Sequence, residues 1–575
     1  MSAKLRRYTE NRIVLWVSIF VSLLSTVFYS SRRIALYDYN YIANAIHRLS
    51  LGEMPYREFD LVLPPITFLP GYLFHHFLNF GITTSILITA LITQVIALVS
   101  IHSILSQIIR RNDCHKSRGI YSIAMIGSGI INVISIYPNF IYDSLASALA
   151  LVAIAFFLKC QENAKYRFLV LAQLFAVLTL FTKFNMGGSL ILGFVLIRIL
   201  ILVNEKKYLR FLTEASSLFI VSACFLLLIS TFGLSNFIDQ TIIAPSKFKG
   251  VTQLGQLAQY NYLILIAMIF LILCARVLRL NGTEITKYTL LLLICFLSMY
   301  AIKDILAPSA SWEIPKILFP GVNFVYPIIM LVSLNCLLTL NRHKIEILTL
   351  LIVLPIYFFG TFLSQGWVGS SYSLSPLLIL LIVTIFLSLD SKMREVQDKI
   401  FKLFILVLVG NLLILACSGN RLGYVYDGGA RGQKYNWNQI GTALSAQDIL
   451  EVKEINQEIK KSKSAGSIIE FPAEDLLEDF SNKLTPWNRC LQFTFICPSK
   501  SVGDILTDFK SEEPNVIVVK QVTQINRGIE PILNVLEPAI DTCYLLRYSN
   551  KTYQLFKSTE ATHRCLTEYF EVNND

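Results

Sequence analysis

About thirteen stretches of this chain are apolar over lengths that fit the hydrocarbon core of a bilayer, with short polar loops between them. A helix rises about 1.5 Å per residue, so roughly 20 apolar residues cross that core. The stretches are 12–30, 83–108, 119–137, 141–158, 168–183, 187–203, 211–232, 259–275, 287–302, 316–339, 345–363, 373–389 and 400–418. A soluble chain would carry about a quarter charged residues; this one carries 15%, against 54% hydrophobic. The pattern predicts a mainly α polytopic membrane bundle over residues 1–419. A net charge of +11 raises the question of nucleic acid. Most of the basic residues instead sit in loops between apolar runs, where they set topology, so no nucleic-acid partner is expected.

The basic residues also orient the chain. Lys4, Arg6, Arg7 and Arg12 precede the first run, which predicts a cytoplasmic N-terminus. Basic clusters follow every even-numbered run: Arg110–Arg111, Lys159–Arg167, Lys206–Arg210, Arg276–Arg279, Arg342–Lys344 and Lys392–Lys402. An odd number of spans then puts residues 420–575 outside a plasma or inner membrane. The first run lacks a small-x-small cleavage site, so it reads as a span and not as a removed signal peptide.

Past residue 420 the composition changes. Gly428, Gly429 and Gly432 mark a polar linker, EVKEINQEIKK (451–461) reads as an exposed helix, and GSIIEF, NVIVVK and CYLLRY read as short strands. Helix, strand, helix, strand predicts a small extracytoplasmic α/β domain. Cys490, Cys497, Cys543 and Cys565 lie in it, and an oxidising compartment permits disulfides among them in a pairing the sequence leaves open. The seven earlier cysteines read as apolar packing.

With this topology the outer loops hold the chemistry. The first, 31–82, contains LYDYNYIANAIHRLSLGEMPYREFDLVLPP at 36–65. Residues 40–50 and 66–79 are expected as surface helices separated at Pro64-Pro65. Tyr37, Tyr39, Tyr41, Tyr56 and Phe59 suit headgroup depth, where tyrosine concentrates. Asp38 and Asp143 fall near outer span ends, and SQGWVGSSYS (364–373) forms another outer loop. His75-His76 reads as interfacial, because adjacent residues on a helix point apart; no metal site is assigned.

The run Asp38, Tyr41, Ala43, Gly52-x-x-Pro55-Tyr56-Arg57-Glu58-Phe59, Pro64-Pro65 resembles the first outer loop of the GT-C superfamily of integral membrane glycosyltransferases. It is similar to the bacterial branch related to protein mannosyltransferases and aminoarabinose transferases. YPNFIYDSLASALALVAIAF, with Asp143, resembles the family's second-acid segment, and LTLFTKFNMGG, with Thr182-Lys183, its Thr-Lys segment. The resemblance spans residues 10–200. Many members have Asp-Glu where this chain has Asp38-Tyr39, a departure that bears on how a divalent cation or donor phosphate would be held.

The resemblance implies a polyprenyl-phosphate-linked sugar donor and a glycan, lipid or protein acceptor at the outer face. Such a transfer needs a base for the acceptor hydroxyl and positive charge for the departing phosphate. The expected roles are Asp38 as base in an inverting displacement, Asp143 orienting the acceptor or sharing a proton with Asp38, and Lys183 and Arg57 on the donor phosphate. Tyr41, Tyr56, Glu58 and Asp60 complete the substrate loop; Lys247 and Lys249 are further loop cations. Arg57 has a competing role in an ion pair with Glu58 or Asp60, and Lys183 as a lysine snorkelling at a span end. No cofactor is assigned, a divalent cation being the one addition left open. A transporter or flippase of lipid-linked glycans is the main rival, disfavoured because the spans read as nearly free of central charge. A ligase or polymerase of such glycans is another, but those usually carry a large outer loop between late spans.

Overall fold

The computed structural model describes residues 3–30, 36–111, 118–135, 141–163, 165–205, 208–243 and 345–388. In the C-terminal region it describes 433–437, 440–444, 468–471, 513–520, 530–550 and 553–572, with scattered positions at 451–461 and 507–511. The expected spans 259–275, 287–302, 316–339 and 400–418, Cys490 and Cys497, and Lys247 and Lys249 lie outside these residues. The chain divides into two compact units, one of residues 1–28, 90–225 and 249–425 and one of residues 29–89, 226–248 and 426–575.

The N-terminal helices are α1 (Ala3–Ser30), α2 (Leu36–Ser50), α3 (Leu69–Leu78), α4 (Ile82–Arg111) and α5 (Arg118–Ser135). They are followed by α6 (Ile141–Asn163), α7 (Tyr166–Leu180), α8 (Phe184–Glu205), α9 (Tyr208–Ser230), α10 (Leu234–Ile238) and α11 (Ile345–Ser388). Among the described residues, three segments are long and apolar enough to cross a membrane: Thr84–Arg110, Tyr142–Asn163 and Phe184–Leu202. Shorter apolar helical segments are Asn11–Leu24, Tyr166–Leu180, Glu214–Leu227 and Ile345–Thr361.

In the first unit α6 is the most enclosed of the three long segments, with 83% of its apolar window buried. Its sequence, SLASALALVAIAF, explains why. Ala146, Ala148, Ala150 and Ala153 and Ser144 and Ser147 are small enough for neighbours to approach on every side. It packs on α7, α8 and α11, where Phe157 stacks on Phe194 at 4.3 Å between ring centroids. Polar groups tie the helices across the apolar interior. Ser22 donates to Gln94 (2.8 Å), and the Gln161 amide donates to Thr349 (2.9 Å).

Contrary to expectation, 345–363 and 373–389 are not two spans joined by an outer loop: 345–388 is one helix of 44 residues. The intervening SQGWVGSSYS is polar, but polarity alone does not end a helix, and each glycine costs it only about 1 kcal/mol. α11 lies against α8 with almost no space between backbones. A Cβ on Gly193 would meet Val353 Cα at 3.2 Å, and one on Gly360 would overlap Ser189 and the Asn185 carbonyl.

In the second unit, α2 buries Ile42, Ala45 and Ile46, the i, i+3, i+4 face of an amphipathic helix. Ile46 packs onto Gly71 of α3. α2 begins earlier than the expected residue 40. The second helix is split: a 3-10 turn at Pro65–Thr67 follows Pro64, and α3 ends at Asn79 in the left-handed conformation (φ 54).

In the C-terminal region, β1 (Gln433–Trp437) pairs antiparallel with β2 (Ile440–Leu444), just after the glycine-marked linker, where no element was expected. A second sheet joins β3 (Ile468–Phe471), β4 (Val516–Lys520), β5 (Leu545–Ser549) and β6 (Tyr553–Lys557) in the order β3-β4-β6-β5. β3 and β4 are parallel; β6 is antiparallel to both of its neighbours. The three expected strands are there, and β6 was missed because KTYQLFKS is short and flanked by lysines. Helices α12 (Glu530–Cys543) and α13 (Thr562–Val572) pack with this sheet around Ile517, Leu536, Phe556 and Leu566. A Cys543–Cys565 disulfide joins them. Burial raises the Tyr544 phenol pKa above its ordinary value. Among the described residues its hydroxyl has no hydrogen-bond partner.

Two outcomes follow. Gly360→Val should destabilise the detergent-solubilised protein by about 1–3 kcal/mol through overpacking, seen as a lower melting temperature. An unchanged melt would mean that α8 and α11 are further apart. Tyr544→Phe, which removes only an unsatisfied buried hydroxyl, should leave that melt unchanged or raise it.

Candidate functional site

Asp143 stands in the first turn of α6, and Lys183 in the tight turn between α7 and α8. Each is fixed locally. The Lys183 amide donates to the Thr179 carbonyl at 2.9 Å, and the Lys183 carbonyl accepts from Gly187 at 3.0 Å. The Thr182 hydroxyl donates to Leu178 O at 2.8 Å.

The turn delivers the Lys183 ammonium onto the Asp143 carboxylate, forming a buried ion pair. Asp143 is 3% exposed and Lys183 8%. The ammonium also lies 5.0 Å from the centre of the Tyr142 ring, a cation–π distance. One turn further along α6, Ser147 lies 3.4 Å from the Tyr357 hydroxyl of α11. The snorkelling alternative for Lys183 is therefore replaced by a buried pair. Asp143 also gains from the helix N-terminus, which favours negative charge.

The second unit holds the other candidates. Asp38 is the third residue of α2, and Tyr41 lies one turn on. After α2 the chain turns at Gly52 (φ 90) into the segment that carries Arg57. Tyr56 adopts φ 67 although it is a bulky non-glycine residue, a conformation that must be held from outside. Its amide donates to Phe59 O (2.9 Å), its hydroxyl donates to Leu63 O (2.6 Å), and its ring meets Phe237 edge-on at 5.1 Å.

The clamp is Gln240, 1% exposed. Its Nε2 donates to Tyr56 O (3.1 Å) and Asp60 Oδ1 (3.0 Å), and its Oε1 accepts from Leu61 N (3.0 Å). Asn236 also donates to Tyr56 O, at 3.1 Å. Three groups of the first loop are thus tied to one side chain about 180 residues later. Nothing in the spacing of the sequence announces this, since Gln240 sits in an unremarkable polar stretch.

One expectation is corrected here. Tyr56 and Phe59 are buried at 1% and 0%, so they form the interior of the loop and are not surface anchors. Asp60, expected in the substrate loop, is buried and accepts from Gln240 Nε2. Arg57 and Glu58 are exposed at the tip. The Glu58 carboxylate accepts from the Met54 amide, and Arg57 makes no ion pair among the described residues, so the competing Glu58 or Asp60 pairing is absent. Arg48 instead pairs with Glu53 at 3.1 Å and lies 5.5 Å above the Phe59 ring. His75 bonds Phe80 O and His76 stacks on Tyr72. No cluster of three or more metal-ligating side chains occurs among the described residues.

A second buried pair went unseen in the sequence. Arg198 of α8 forks onto Glu214 of α9, Nε to Oε2 at 2.7 Å and Nη2 to Oε1. The Gln173 amide donates to Glu214 O at 2.8 Å. The spans are thus not free of internal charge. The signal was present: a single arginine in LILGFVLIRILILV has no apolar role and requires a partner.

No protein-family model matches the chain, and no curated protein does. Among solved structures, the chain is similar to ArnT from Cupriavidus metallidurans in the apo state. There the identity is 11% and the TM-score 0.40, over 98% of this chain and 99% of that one. It is also similar to the oligosaccharyltransferase AglB from Archaeoglobus fulgidus in complex with an inhibitory peptide and a dolichol-phosphate. That match has 12% identity and a TM-score of 0.46, over 96% of this chain and 75% of that one.

Removing either partner of the Asp143–Lys183 pair strands a buried charge, at about 3–5 kcal/mol. Asp143→Asn and Lys183→Met should each lower expression and melting temperature, and the double variant should recover both. Two single variants as stable as the parent would show that the pair does not form.

Proposed function

We propose that this chain is a membrane glycosyltransferase that moves a sugar from a polyprenyl-phosphate-linked donor to an acceptor hydroxyl at the outer face. The observation that carries the proposal is the first loop: a strained, buried Tyr56 held by Gln240, with Arg57 exposed beside it and in no ion pair among the described residues. A loop that maintains backbone strain to present an exposed cation is suited to an anionic headgroup. The resemblance of the same segment to GT-C first loops supports the donor class, as does the scarcity of activated sugars other than lipid-linked ones outside the cytoplasm.

In the proposed step the acceptor oxygen attacks the anomeric carbon. The bond from that carbon to the phosphate oxygen breaks, and polyprenyl phosphate departs with the electron pair. The acceptor proton goes to Asp38, and a single displacement inverts the centre. Asp143 is a poor choice for this base. Taking up a proton would leave the Lys183 ammonium buried and unpaired, at a cost of several kcal/mol. Its role is to fix Lys183. Arg57 supplies the positive charge that steadies the departing phosphate. Glu58, exposed beside Arg57, and Tyr41 are left for the acceptor or sugar. The Cys543–Cys565 disulfide supports an oxidising, extracytoplasmic location for an α/β domain at 420–575.

Asp38→Asn should abolish transfer from a polyprenyl-phosphate sugar in proteoliposomes while expression and melting temperature hold; full activity would remove Asp38 from the base role. Arg57→Ala, at an exposed position, should raise the donor KM about tenfold with little change in stability. An unchanged KM would remove Arg57 from donor binding.

A further inference from the structure

Within the first unit, α6, α7, α8 and α9 enclose a half-open cavity of about 320 Å³, inside the size range of small-molecule sites (about 300–1,000 Å³). Its wall is apolar, with Phe157, Leu169, Phe194, Leu218 and Phe219. One edge is polar: Arg198, Glu214 and Gln173 line it. Arg198 is 9% exposed. Its Nε and Nη2 are taken by Glu214, and its remaining nitrogen, Nη1, has no hydrogen-bond partner among the described residues. The cavity therefore offers an apolar slot with one edge formed by the Arg198 guanidinium.

The surroundings say what fills it. Phe219 at the mouth, with Ile220, Ile199 and Leu200, is an exposed apolar side chain; they lie on the shorter apolar helix Glu214–Leu227 and on Phe184–Leu202, which is long and apolar enough to cross a membrane. Arg198 is 15 residues beyond Lys183, about 22 Å along a helix axis, so this is a different place from the Asp143–Lys183 pair. It lies towards the end where α8 meets α9 and α7 begins. That end carries the exposed Lys165 and Arg167. Each basic residue at headgroup level attracts anionic lipid by about 1 kcal/mol.

We propose that this cavity is a binding site for one anionic glycerophospholipid of the leaflet at that end. One acyl chain fills the apolar slot, and an oxygen of the glycerol ester or phosphate accepts from Arg198 Nη1. Because Glu214 neutralises the guanidinium, Arg198 orients the lipid and the basic residues outside select its charge. The site is independent of the transferase reading and would hold if that reading failed.

The test is native mass spectrometry of the full-length protein with phosphatidylglycerol or phosphatidylcholine of identical chains. One phosphatidylglycerol should survive activation that strips the rest, with phosphatidylcholine retained at least tenfold less. Ala215→Phe, which fills the mouth at an already exposed position, should abolish retention at an unchanged melting temperature. Equal retention of the two lipids, or undiminished retention by a folded Ala215→Phe, overturns the site. Should that variant fail to fold, phosphatidylglycerol bearing a diazirine on its acyl chain is photolysed with the unmodified protein. Crosslinks within residues 157–222 support the site, and crosslinks only elsewhere overturn it.

Discussion

Charge inside an apolar bundle must be matched where it stands, and α8 shows the consequence at both ends. Lys183, just before its start, is met by Asp143 from α6; Arg198, towards its other end, is met by Glu214 from α9. Sliding α8 along its neighbours would separate both pairs. Apolar packing tolerates small shifts, because one leucine contact replaces another. A buried ion pair does not, since its loss leaves an uncompensated charge in a low dielectric. The pairs therefore set the register of α6, α8 and α9, and the small residues of α6 with Gly193 and Gly360 let the backbones approach closely enough for side chains to meet.

Hydropathy reads the existence of helices well and their ends less well. The runs at 83–108, 119–137, 141–158, 168–183, 187–203 and 211–232 each correspond to one helix, with limits moved by a few residues. Those signals are local, because a run of apolar residues in a membrane has few alternatives to helix. The polar interruption at 364–373 misled because polarity was taken for a break, whereas only competing hydrogen bonds or backbone geometry break a helix. β1, β2 and β6 were lost for a related reason: a short strand is defined by its partner, and the partner lies elsewhere in the chain.

The site was legible to different degrees for the same reason. Asp143 and Lys183 stood out as charges beside apolar runs, yet nothing in either segment says that they pair. Arg198 and Glu214 were equally visible as letters and were passed over, because the basic clusters nearby drew attention to topology. Gln240 was beyond reach. A glutamine reveals its role only when three groups of a distant loop converge on it, and Tyr56 reveals its backbone strain only in three dimensions.

The contrast between the cations carries the argument furthest. Lys183 and Arg198 are buried and already matched, so an incoming anion gains little from either unless it also replaces what their acids supply. Arg57 is exposed and unmatched among the described residues, so an anion gains its attraction without breaking a pair with any of them, at the cost of solvent screening. In the proposed reading, first capture of a charged headgroup therefore falls to Arg57. The Gln240 clamp fits that role: a cation that must act from solvent gains most when the loop beneath it loses no further entropy on binding.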